Sequence, residues 1–379
     1  MMIAAILKET TLGENRVAAT PKTVKELIKS GLTVRIQSEA GKASFYSDQD
    51  YIDAGAEVIS DISSLYNNVN IVLKVAPATI AEIESFPNGT AYVSLMQTTR
   101  QSQQVQKLTE KNITGFSMHL IPRTSLAQSM DALSSQANIA GYKSVLMGAT
   151  HLPVYMPLLM TAAGTIPPAK VLILGAGVAG LQAIATAKRL GAQVEAFDVR
   201  PEVKEQVESL GAKFVEVASD SDDGVGEGGY AKETSDDYKQ RQQALIKEHI
   251  AKSNLVITTA LIPGRPAPLL IPTDMVNGMK PGSVIMDLAA ENGGNCELTQ
   301  GDEIVNHNGV IIDGTINLPS TMPAHASQLY AKNVSTFVTY MMKEGELNLD
   351  LEDEIISGAM FTHEGKITHE PTRESMSNS

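Results

Sequence analysis

Short apolar runs alternate along the first third of the chain with stretches in which apolar side chains recur every three or four residues. The runs predict buried strands, and the spaced stretches predict helices with one apolar face. The predicted strands are Ile3–Leu7, Thr33–Gln37, Ile71–Val75, Ala91–Leu95 and Gly115–Met118. The predicted helices are Pro21–Ser30, Asp48–Ala54, Thr79–Ser85 and Ser102–Glu110. Such alternation is typical of a parallel sheet covered by helices on both faces.

The middle of the chain repeats this pattern. Its predicted strands are Lys170–Leu174, Val194–Asp198, Lys213–Val217, Leu255–Thr259, Ser283–Asp287 and Val310–Asp313. Its predicted helices are Gly177–Leu190, Val203–Leu210, Asp236–Lys252 and Pro272–Met279. The sequence therefore predicts an α/β fold with two doubly wound, parallel-sheet domains in series and a cleft between them.

A long amphipathic helical pattern, Pro323–Met342, follows the second set of strands. A helix of this length could return the chain to the first domain, which would then comprise residues 1–132 and 321–379, with residues 133–320 as the second domain. The tail predicts a hairpin over Gly358–His369. The residues after Pro371 are expected to fray.

No charged residue lies between Lys143 and Lys170, a length that could cross a bilayer. The stretch runs directly into a predicted strand and is interrupted by His151, Pro153, Pro157, Pro167 and Pro168. We therefore expect a buried helix pair or an interdomain helix here rather than a membrane span.

Composition narrows the class of protein. The 379 residues include no Trp and only 4% aromatic side chains, so the cores are expected to be aliphatic. The net charge of −13 disfavours a nucleic acid partner. The single cysteine, Cys296, cannot form an internal disulfide, which suits a reducing compartment. The seven histidines show no spacing typical of metal ligands, so no metal site is expected.

The strongest motif is a G-x-G-x-x-G run, Gly175, Gly177 and Gly180, directly after the apolar run Val171–Leu174. In such motifs the first glycine makes a tight turn, the second lets a pyrophosphate approach, and the third lets helix and strand pack closely. The amides at the start of the helix then attract the pyrophosphate. The alternative is a glycine-rich packing turn with no ligand.

The residues after the next predicted strand favour NAD(H) over NADP(H). Asp198 lies 18 residues after Gly180, where an acidic side chain accepts hydrogen bonds from ribose hydroxyls and repels a 2′-phosphate. Arg200 is a contrary signal, because an arginine nearby can hold a 2′-phosphate.

The segment Ala218–Asp237 is rich in Gly, Ser and acidic residues and carries one aromatic side chain, Tyr230. Two interpretations remain open: a solvated surface loop, or a mobile lid hinged on its glycines.

Four segments share long runs of residues with one known family: Gly13–Pro21, Arg123–Gly141, Gly228–Glu233 and Thr258–Gly264. On these segments the chain resembles the NAD(H)-binding domain I of proton-translocating transhydrogenase, from the alpha subunit, over nearly its whole length. It resembles alanine dehydrogenase more distantly. The resemblance implies two Rossmann-like domains.

The resemblance also implies roles for individual residues. Arg123, Gln128 and Asp131 match a catalytic loop beside the nicotinamide, and Ser134 matches a contact on the nicotinamide side. A Gln side chain can donate and accept hydrogen bonds without adding charge beside a cationic ring. The other cofactor-binding positions match the pyrophosphate site, the adenosine ribose site, the mobile loop and further wall positions, and are Gly175, Gly177, Val178, Gly180, Asp198, Val199, Arg200, Gly229, Tyr230, Gln242 and Leu261.

Structural interpretations stand beside two of these roles. Arg123 and Asp131 could simply form a salt bridge that holds the loop. Tyr230 could be an ordinary exposed aromatic residue.

Alanine dehydrogenase chemistry needs a proton acceptor and a carboxylate anchor. Lys74 and Arg16 match the lysine and the carboxylate-binding arginine of that family, but the position of its histidine falls on Leu95, beside Met96 and Gln97. Glu291 stands where that family has a catalytic aspartate. We therefore expect Lys74 and Arg16 to be structural remnants in buried or cleft ion pairs.

The resemblance implies a component that binds NAD(H) and exchanges hydride with NADP(H) on a partner domain, domain III, while membrane domain II moves protons. It also implies a homodimer on the cytoplasmic side of the bacterial inner membrane, or on the matrix side in mitochondria. Hydride transfer between two nicotinamides needs no substrate proton, only close and oriented rings. The alternatives are an amino-acid dehydrogenase and a non-catalytic NAD-sensing module.

Overall fold

The computed structural model describes residues 2–217, 236–262 and 266–377. The chain divides into two compact units. Unit 1 comprises Met1–Gln136 and Pro319–Ser379, and unit 2 comprises Ala137–Leu318.

The N-terminal segment of unit 1 alternates strands and helices as the apolar pattern predicts. Its strands are β1 (Ile3–Ile6), β2 (Thr33–Gln37), β3 (Glu57–Ile59), β4 (Ile71–Leu73), β5 (Ala91–Ser94) and β6 (Thr114–Ser117). Its helices are α1 (Pro21–Lys29), α2 (Asp48–Asp53), α3 (Ile62–Leu65), α4 (Ile80–Ser85) and α5 (Ser102–Glu110).

Helix α6 (Ala132–His151) leads from unit 1 into unit 2. The strands that follow are β7 (Leu159–Thr161), β8 (Gly164–Ile166), β9 (Lys170–Leu174), β10 (Gln193–Phe197), β11 (Lys213–Phe214), β12 (Leu255–Thr258), β13 (Val284–Asp287), β14 (Ile304–His307) and β15 (Val310–Asp313). The helices between them are α7 (Val178–Arg189), α8 (Lys204–Ser209), α9 (Asp236–Lys252) and α10 (Thr273–Asn277).

The C-terminal segment of the chain belongs to unit 1. It comprises α11 (Pro323–Met341), β16 (Met342–Lys343), β17 (Glu346–Leu347), α12 (Glu354–Ala359), β18 (Met360–His363), β19 (Lys366–Ile367) and α13 (Glu370–Ser377). Helix α11 confirms the predicted long helix. Its Tyr330, Val334 and Phe337 are fully buried in the same core as Ile6 of β1.

The two sheets share one topology. In unit 1 the strand order is β19-β18-β6-β5-β4-β1-β2-β3, and in unit 2 it is β11-β10-β9-β12-β13-β15-β14. Strands β1 to β6 pair in parallel, as do their counterparts in unit 2, while β18, β19 and β14 add antiparallel edges. Both units therefore have the doubly wound order 3-2-1-4-5-6, which confirms the predicted α/β fold.

Each sheet is buried on both faces, which explains why its central strands are continuous apolar runs. Successive strand side chains point to opposite faces. In β9, Val171 and Ile173 enter one core, while Leu172 and Leu174 enter the core on the other face. Burying each such side chain contributes about 1.5–3 kcal/mol, so these runs anchor the strand that leads into the glycine motif.

Several local features differ from the sequence-based prediction. For the uncharged stretch, the interdomain-helix alternative is found as far as His151, since α6 runs from unit 1 into unit 2, but a short exposed hairpin, β7–β8, follows where a helix pair would need a second helix. Pro153 and Pro157 prevent the helix from continuing, because proline has no amide hydrogen for the helical bond. The edge strand β3 was missed, because its burial is slight and its apolar pattern is weak.

The tail after Pro371 was also predicted wrongly, since it forms α13 instead of fraying. Thr372 is fully buried in this helix, and its hydroxyl lies 2.6 Å from that of Thr98. The preceding hairpin prediction is confirmed by β18 and β19. Throughout the described ranges, no helix combines the length and the hydropathy that crossing a bilayer requires.

Candidate nucleotide-binding site

The glycine motif forms the turn between β9 and α7, and two of its glycines are required by packing. Gly175 has a φ of +105°, and a Cβ there would lie 2.5 Å from Thr259 Oγ1. A Cβ on Gly180 would lie 1.8 Å from the Gly175 carbonyl oxygen. The first and third glycines are therefore needed for the turn itself, with or without a ligand.

Gly177 differs from its two neighbours in the motif. It precedes α7 in an extended conformation, and a Cβ there would have no atom within 4 Å. No side chain caps α7 in the described structure, and the first helical residue, Val178, is 42% exposed. The space beside Gly177 at the start of α7 is therefore open, and the first amides of a helix and its dipole favour an anionic group at such a position.

Asp198 directly follows β10 and reaches back to the glycine turn. Its side chain is only 6% exposed, and its Oδ2 accepts a hydrogen bond from the Ala176 amide at 2.7 Å. Arg200 donates to it from its amide and its guanidinium, and Val199 between them is exposed. Burial raises the pKa of Asp198, but the hydrogen bonds from Arg200 and Ala176 outweigh burial and lower it. The carboxylate is therefore ionised at neutral pH.

The first turn of α7 packs against α6. A Cβ on Gly141 would lie 2.1 Å from the Ala179 carbonyl oxygen, so only glycine permits this approach. Asn138 of α6 also donates to Gln182 of α7 at 3.1 Å. Gly141 ends one of the four segments that carry the family resemblance, but sequence reasoning gave it no role.

The residues after β12 are held by a network that we call the strand-end clasp: Thr258, Thr259, Ala260, Asp287 and Asn295. The Thr258 hydroxyl donates to Asp287 at 2.9 Å, and the Thr259 hydroxyl donates to the Gly175 carbonyl at 3.0 Å. Asn295 accepts from the Ala260 amide at 3.0 Å and donates to the Ala260 carbonyl at 2.9 Å.

Sequence analysis did not predict the clasp. Its position, beside the glycine turn and just before Leu261, suggests that it supports the candidate site. Asp287 is buried and also accepts hydrogen bonds from the Asn295 amide and the Thr299 hydroxyl. The clasp ends one residue before Leu261, which is 52% exposed. It therefore fixes the backbone that carries Leu261 and links it to the Gly175 turn.

The remaining positions that the sequence predicts to bind the cofactor in unit 2 are described only in part. Gln242 is half-buried on α9. Gly229 and Tyr230 lie outside the described residues, and so does Gly264.

The predicted nicotinamide-side residues belong to unit 1. Arg123 and Gln128 are exposed, and Gln128 begins a short 3-10 helix, Gln128–Met130. Asp131 caps the start of α6: its carboxylate accepts from the Ser134 amide at 2.9 Å and from the Ser134 hydroxyl at 2.5 Å. The interpretation of Arg123 and Asp131 as a salt bridge is therefore wrong. No ion pair joins these two described residues, and Ser134 donates hydrogen bonds to both oxygens of the Asp131 carboxylate.

Lys74 and Arg16 lie in buried ion pairs, as expected. Lys74 is fully buried, with Nζ 2.7 Å from Glu82 Oε1 and 3.6 Å from Glu9 Oε2. Arg16 donates to both oxygens of Glu14, at 2.8 and 2.7 Å.

Within the same cluster, Arg16 also donates to Gln136 at 2.8 Å. Burial raises the pKa of Glu9 to about 7, although Lys74 and the Val75 amide act to lower it. Both cations thus already have partners within unit 1.

Three residues lie at or beside the positions where an alanine dehydrogenase would have proton-transferring groups: Leu95, Met96 and Glu291. Leu95 is apolar and half-buried, and Met96 is fully buried, so neither can exchange a proton. Glu291 is exposed and accepts a hydrogen bond from the Asn317 amide at 2.6 Å. Across the described ranges, no three His, Cys, Asp or Glu side chains are placed to share a metal ion.

Two family descriptions together match almost the whole chain. "Alanine dehydrogenase/PNT, N-terminal domain" matches residues 5–140, and "Alanine dehydrogenase/PNT, C-terminal domain" matches residues 144–370. The chain is 45% identical to the NAD(P) transhydrogenase subunit alpha, first portion, of Rhodospirillum rubrum, over 97% of this chain and 98% of that protein.

The chain is also similar to one solved transhydrogenase structure and, at lower identity, to an alanine dehydrogenase. The crystal structure of transhydrogenase from Sinorhizobium meliloti superposes with a TM-score of 0.87 at 44% identity, over 96% of this chain and 99% of that one. Alanine dehydrogenase of Staphylococcus haemolyticus is 28% identical, over 98% of this chain and 96% of that protein. The chain therefore belongs to the alanine dehydrogenase/PNT family, in which it is more similar to these transhydrogenase proteins than to this alanine dehydrogenase.

Proposed function

We propose that this chain is the NAD(H)-binding component of a proton-translocating NAD(P) transhydrogenase. It would bind NAD(H), and hydride would pass directly between that nucleotide and NADP(H) held by a partner component. The dinucleotides supply the hydride chemistry, and the residues of this chain bind and orient the one it holds.

The observation that carries the proposal is the pairing of an open helix start with a buried carboxylate. The amides at the start of α7 would receive the pyrophosphate beside Gly177, where no atom obstructs its approach. Asp198 would accept hydrogen bonds from the adenosine ribose and repel a 2′-phosphate. Val178, Val199, Arg200, Gln242 and Leu261 would form further walls of this site. We also propose Gly229 and Tyr230, which lie outside the described residues, as cofactor-binding positions.

The nicotinamide end would be positioned by the unit 1 loop that contains Arg123, Gln128 and Asp131, with Ser134 beside it. Gln128 is exposed and uncharged, so it can orient a carboxamide or ribose without opposing positive charge on the ring. The Asp131–Ser134 hydrogen bonds hold the end of the loop at the start of α6. Close approach and orientation alone can supply much of the rate of such a reaction.

The side chains that an amino-acid dehydrogenase needs are either replaced or already paired in this chain, which favours transhydrogenation. The position of the catalytic histidine is occupied by Leu95, and Lys74 and Arg16 are saturated by Glu82 and Glu14. Hydride transfer between two nicotinamides requires no group to take a substrate proton, so these features are compatible with it.

The proposed partners are an NADP(H)-binding domain III, a membrane domain II and a second copy of this chain. The R. rubrum relative is named as one portion of an alpha subunit, which supports further subunits. The hairpin β7–β8 and the residues just before it support the homodimer, because they expose apolar side chains that a monomer would leave in water, namely Tyr155, Leu158, Met160 and Ile166. We place the assembly on the cytoplasmic side of the bacterial inner membrane.

The direct test combines calorimetry with a transfer assay. The chain is titrated with NADH, then mixed with a purified NADP(H)-binding component, and hydride transfer to an analogue of NADP+ is followed optically. We expect saturable NADH binding and transfer that requires both components. Steady NADH formation from NAD+ and alanine would favour an amino-acid dehydrogenase, and NADH binding without any transfer would favour a sensing module.

The Gln128→Ala variant tests the positioning role in the same assay. We expect hydride transfer to slow by roughly 100-fold, because misorientation of the ring affects the transition state, while NADH affinity changes by less than about threefold. Gln103→Ala, on an exposed face of α5, is the control and should alter neither quantity. Equal losses in rate and affinity would make Gln128 a binding residue only.

A further inference from the structure

The hydrogen-bonding capacity of Asp198 is already full in this structure. Its Oδ1 accepts from the amide and Nε of Arg200, both at 2.9 Å. Its Oδ2 accepts from the Ala176 amide at 2.7 Å and from the second guanidinium nitrogen of Arg200 at 3.0 Å. A carboxylate offers about four lone-pair positions, so four N–H donors leave none for a ligand.

A ribose diol brings two further donors to this carboxylate. Two of the four donors are the backbone amides of Ala176, in the glycine turn, and of Arg200. The fold fixes both amides in place. The guanidinium is the part that can leave, since the Arg200 side chain is 47% exposed while that of Asp198 is 6% exposed. Binding of the ribose through Asp198 thus requires Arg200 to release its two side-chain bonds.

We propose that Arg200 is an internal placeholder for the adenosine ribose: its guanidinium holds Asp198 until the ribose diol binds, and then leaves. The released guanidinium then lies beside the ribose, where it can pair with a 2′-phosphate. Arg200 thereby limits how strongly the site discriminates against NADP(H). This inference rests on the proposed NAD(H) site and adds a specificity-determining role that the glycine motif and Asp198 do not supply.

The charge of the pair supports the exchange. The Arg200 hydrogen bonds lower the pKa of Asp198 against the effect of burial, and Asp198 raises the pKa of Arg200. The placeholder thus keeps the buried carboxylate ionised and oriented before the ligand arrives. Replacing two N–H donors by two O–H donors leaves the carboxylate fully hydrogen-bonded in both states.

Nuclear magnetic resonance of the arginine Nε–H groups reports the exchange directly. The Arg200 signal is assigned by its loss in Arg200→Lys, and NADH binding is first established by calorimetry. On titration with NADH or 5′-AMP, we expect the Arg200 Nε–H signal to shift to that of a solvent-exposed guanidinium. The control ligand 2′,3′-dideoxy-AMP lacks both hydroxyls and should leave the signal in place.

The outcomes separate the two hypotheses. Measurable NADH binding with an unchanged Arg200 signal would overturn the placeholder while leaving the proposed function intact. Absence of NADH binding in the calorimeter would overturn both.

Binding of the two reduced nucleotides tests the specificity role. In Arg200→Ala we expect the ratio of Kd for NADPH to Kd for NADH to rise at least about tenfold, because the cation that tolerates a 2′-phosphate is gone. Arg189→Ala, an exposed arginine at the other end of α7, is the matched control and should leave the ratio unchanged. An unchanged ratio in Arg200→Ala would contradict the role.

Discussion

The two sheets have the same strand order, yet their carboxyl ends are built in opposite ways. In such sheets a ligand crevice is expected where the strand order reverses, which is between β1 and β4 in unit 1 and between β9 and β12 in unit 2. In unit 1 this edge is filled by Glu9 and Lys74, which are almost completely buried. In unit 2 it carries the glycine turn, with open space at Gly177.

The difference shows that topology offers a place for a site and that the strand-end side chains decide whether it is used. Lys74 has been removed from water and pairs most closely with the Glu82 carboxylate, while Glu9, whose pKa is raised to about 7 by burial, adds a second carboxylate above that pH. Removing these charges from water costs several kcal/mol, which their mutual attraction must offset. The unit 1 edge is therefore closed by its own ion pairs, while the unit 2 edge presents amides and one carboxylate.

Lys74→Met breaks the closed edge and should have the largest effect. The substitution keeps an unbranched side chain, one atom shorter than that of lysine, but leaves the buried Glu9 and the half-buried Glu82 without their cation. We expect the free energy of unfolding, measured with denaturant at pH 8, to fall by about 3–5 kcal/mol.

Two further variants make this result specific. Lys8→Met removes an exposed pair with Glu39 and should lower the free energy of unfolding far less, because solvent screens that pair. Adding Glu9→Gln to Lys74→Met should recover part of the loss. A loss in Lys74→Met no greater than that in Lys8→Met would mean that the buried ion pairs do not stabilise unit 1.

The pH dependence of the free energy of unfolding tests the unit 1 edge while Lys74 stays in place. The pKa of Glu9 is raised to about 7, chiefly by burial, from an ordinary value of 4.5. A carboxyl group whose pKa is raised by folding stabilises the fold when protonated. That contribution is complete below about pH 4.5 and is lost as the pH rises to 7, by roughly 3 kcal/mol.

Glu9→Gln isolates this contribution, because glutamine resembles the protonated carboxyl at every pH. The difference in unfolding free energy between the wild-type chain and Glu9→Gln should change between pH 5 and 7 and then become constant. A difference that does not vary with pH would show that Glu9 remains ionised in the folded chain.

What the sequence could predict of the fold follows from how the strands are buried. Runs such as Val171–Leu174 are apolar throughout, because both sheet faces are covered, so their strands and the glycine turn after them were recognisable. The hairpin β7–β8 was not, because its uncharged, apolar residues look like a buried helix although most are exposed. Its exposure is a tertiary property that no local pattern carries.

The candidate site divides in the same way. Gly175, Gly177, Gly180 and Asp198 have fixed spacings that the sequence displays. The partners of Lys74 and the bonds of Asn295 follow no such spacing, because they join different elements of the fold and, for Asn295, depend on backbone groups. Their importance appears only when the fold brings the strand ends together.

Gly177→Ala breaks the open edge of unit 2 without disturbing the turn. The backbone of Gly177 is extended, and an added Cβ meets no atom within 4 Å, so the melting temperature should stay within about 1 °C of wild type. The methyl group would occupy the approach of the pyrophosphate, and we expect NADH affinity in calorimetry to fall roughly 50-fold, or about 2.3 kcal/mol.

Gly301→Ala is the matched control for an added methyl group, since its Cβ would make only an ordinary contact, 3.9 Å from the Ala290 carbonyl oxygen. It should bind NADH as the wild type does. Wild-type affinity in Gly177→Ala would place the pyrophosphate elsewhere than at the start of α7.

Asn295→Ala tests whether the strand-end clasp supports the unit 2 edge, because it weakens the clasp without changing the glycine turn. Asn295 makes two bonds to the Ala260 backbone and a third, at 2.8 Å, to the Pro268 carbonyl. Their loss frees the backbone before Leu261, so we expect NADH affinity to fall about fivefold to tenfold, or about 1–1.4 kcal/mol.

The control for Asn295→Ala lies at the opposite edge of the same sheet. Asn254 precedes β12 and accepts a hydrogen bond from the Lys170 amide at 2.9 Å, so Asn254→Ala removes a similar bond at the amino ends of the strands. Both variants should lower the melting temperature by a few degrees, but only Asn295→Ala should weaken NADH binding. Equal affinity in the two variants would mean that the clasp stabilises unit 2 without positioning the site, whereas a loss of affinity confined to Asn295→Ala would show that the clasp also shapes the carboxyl edge for binding.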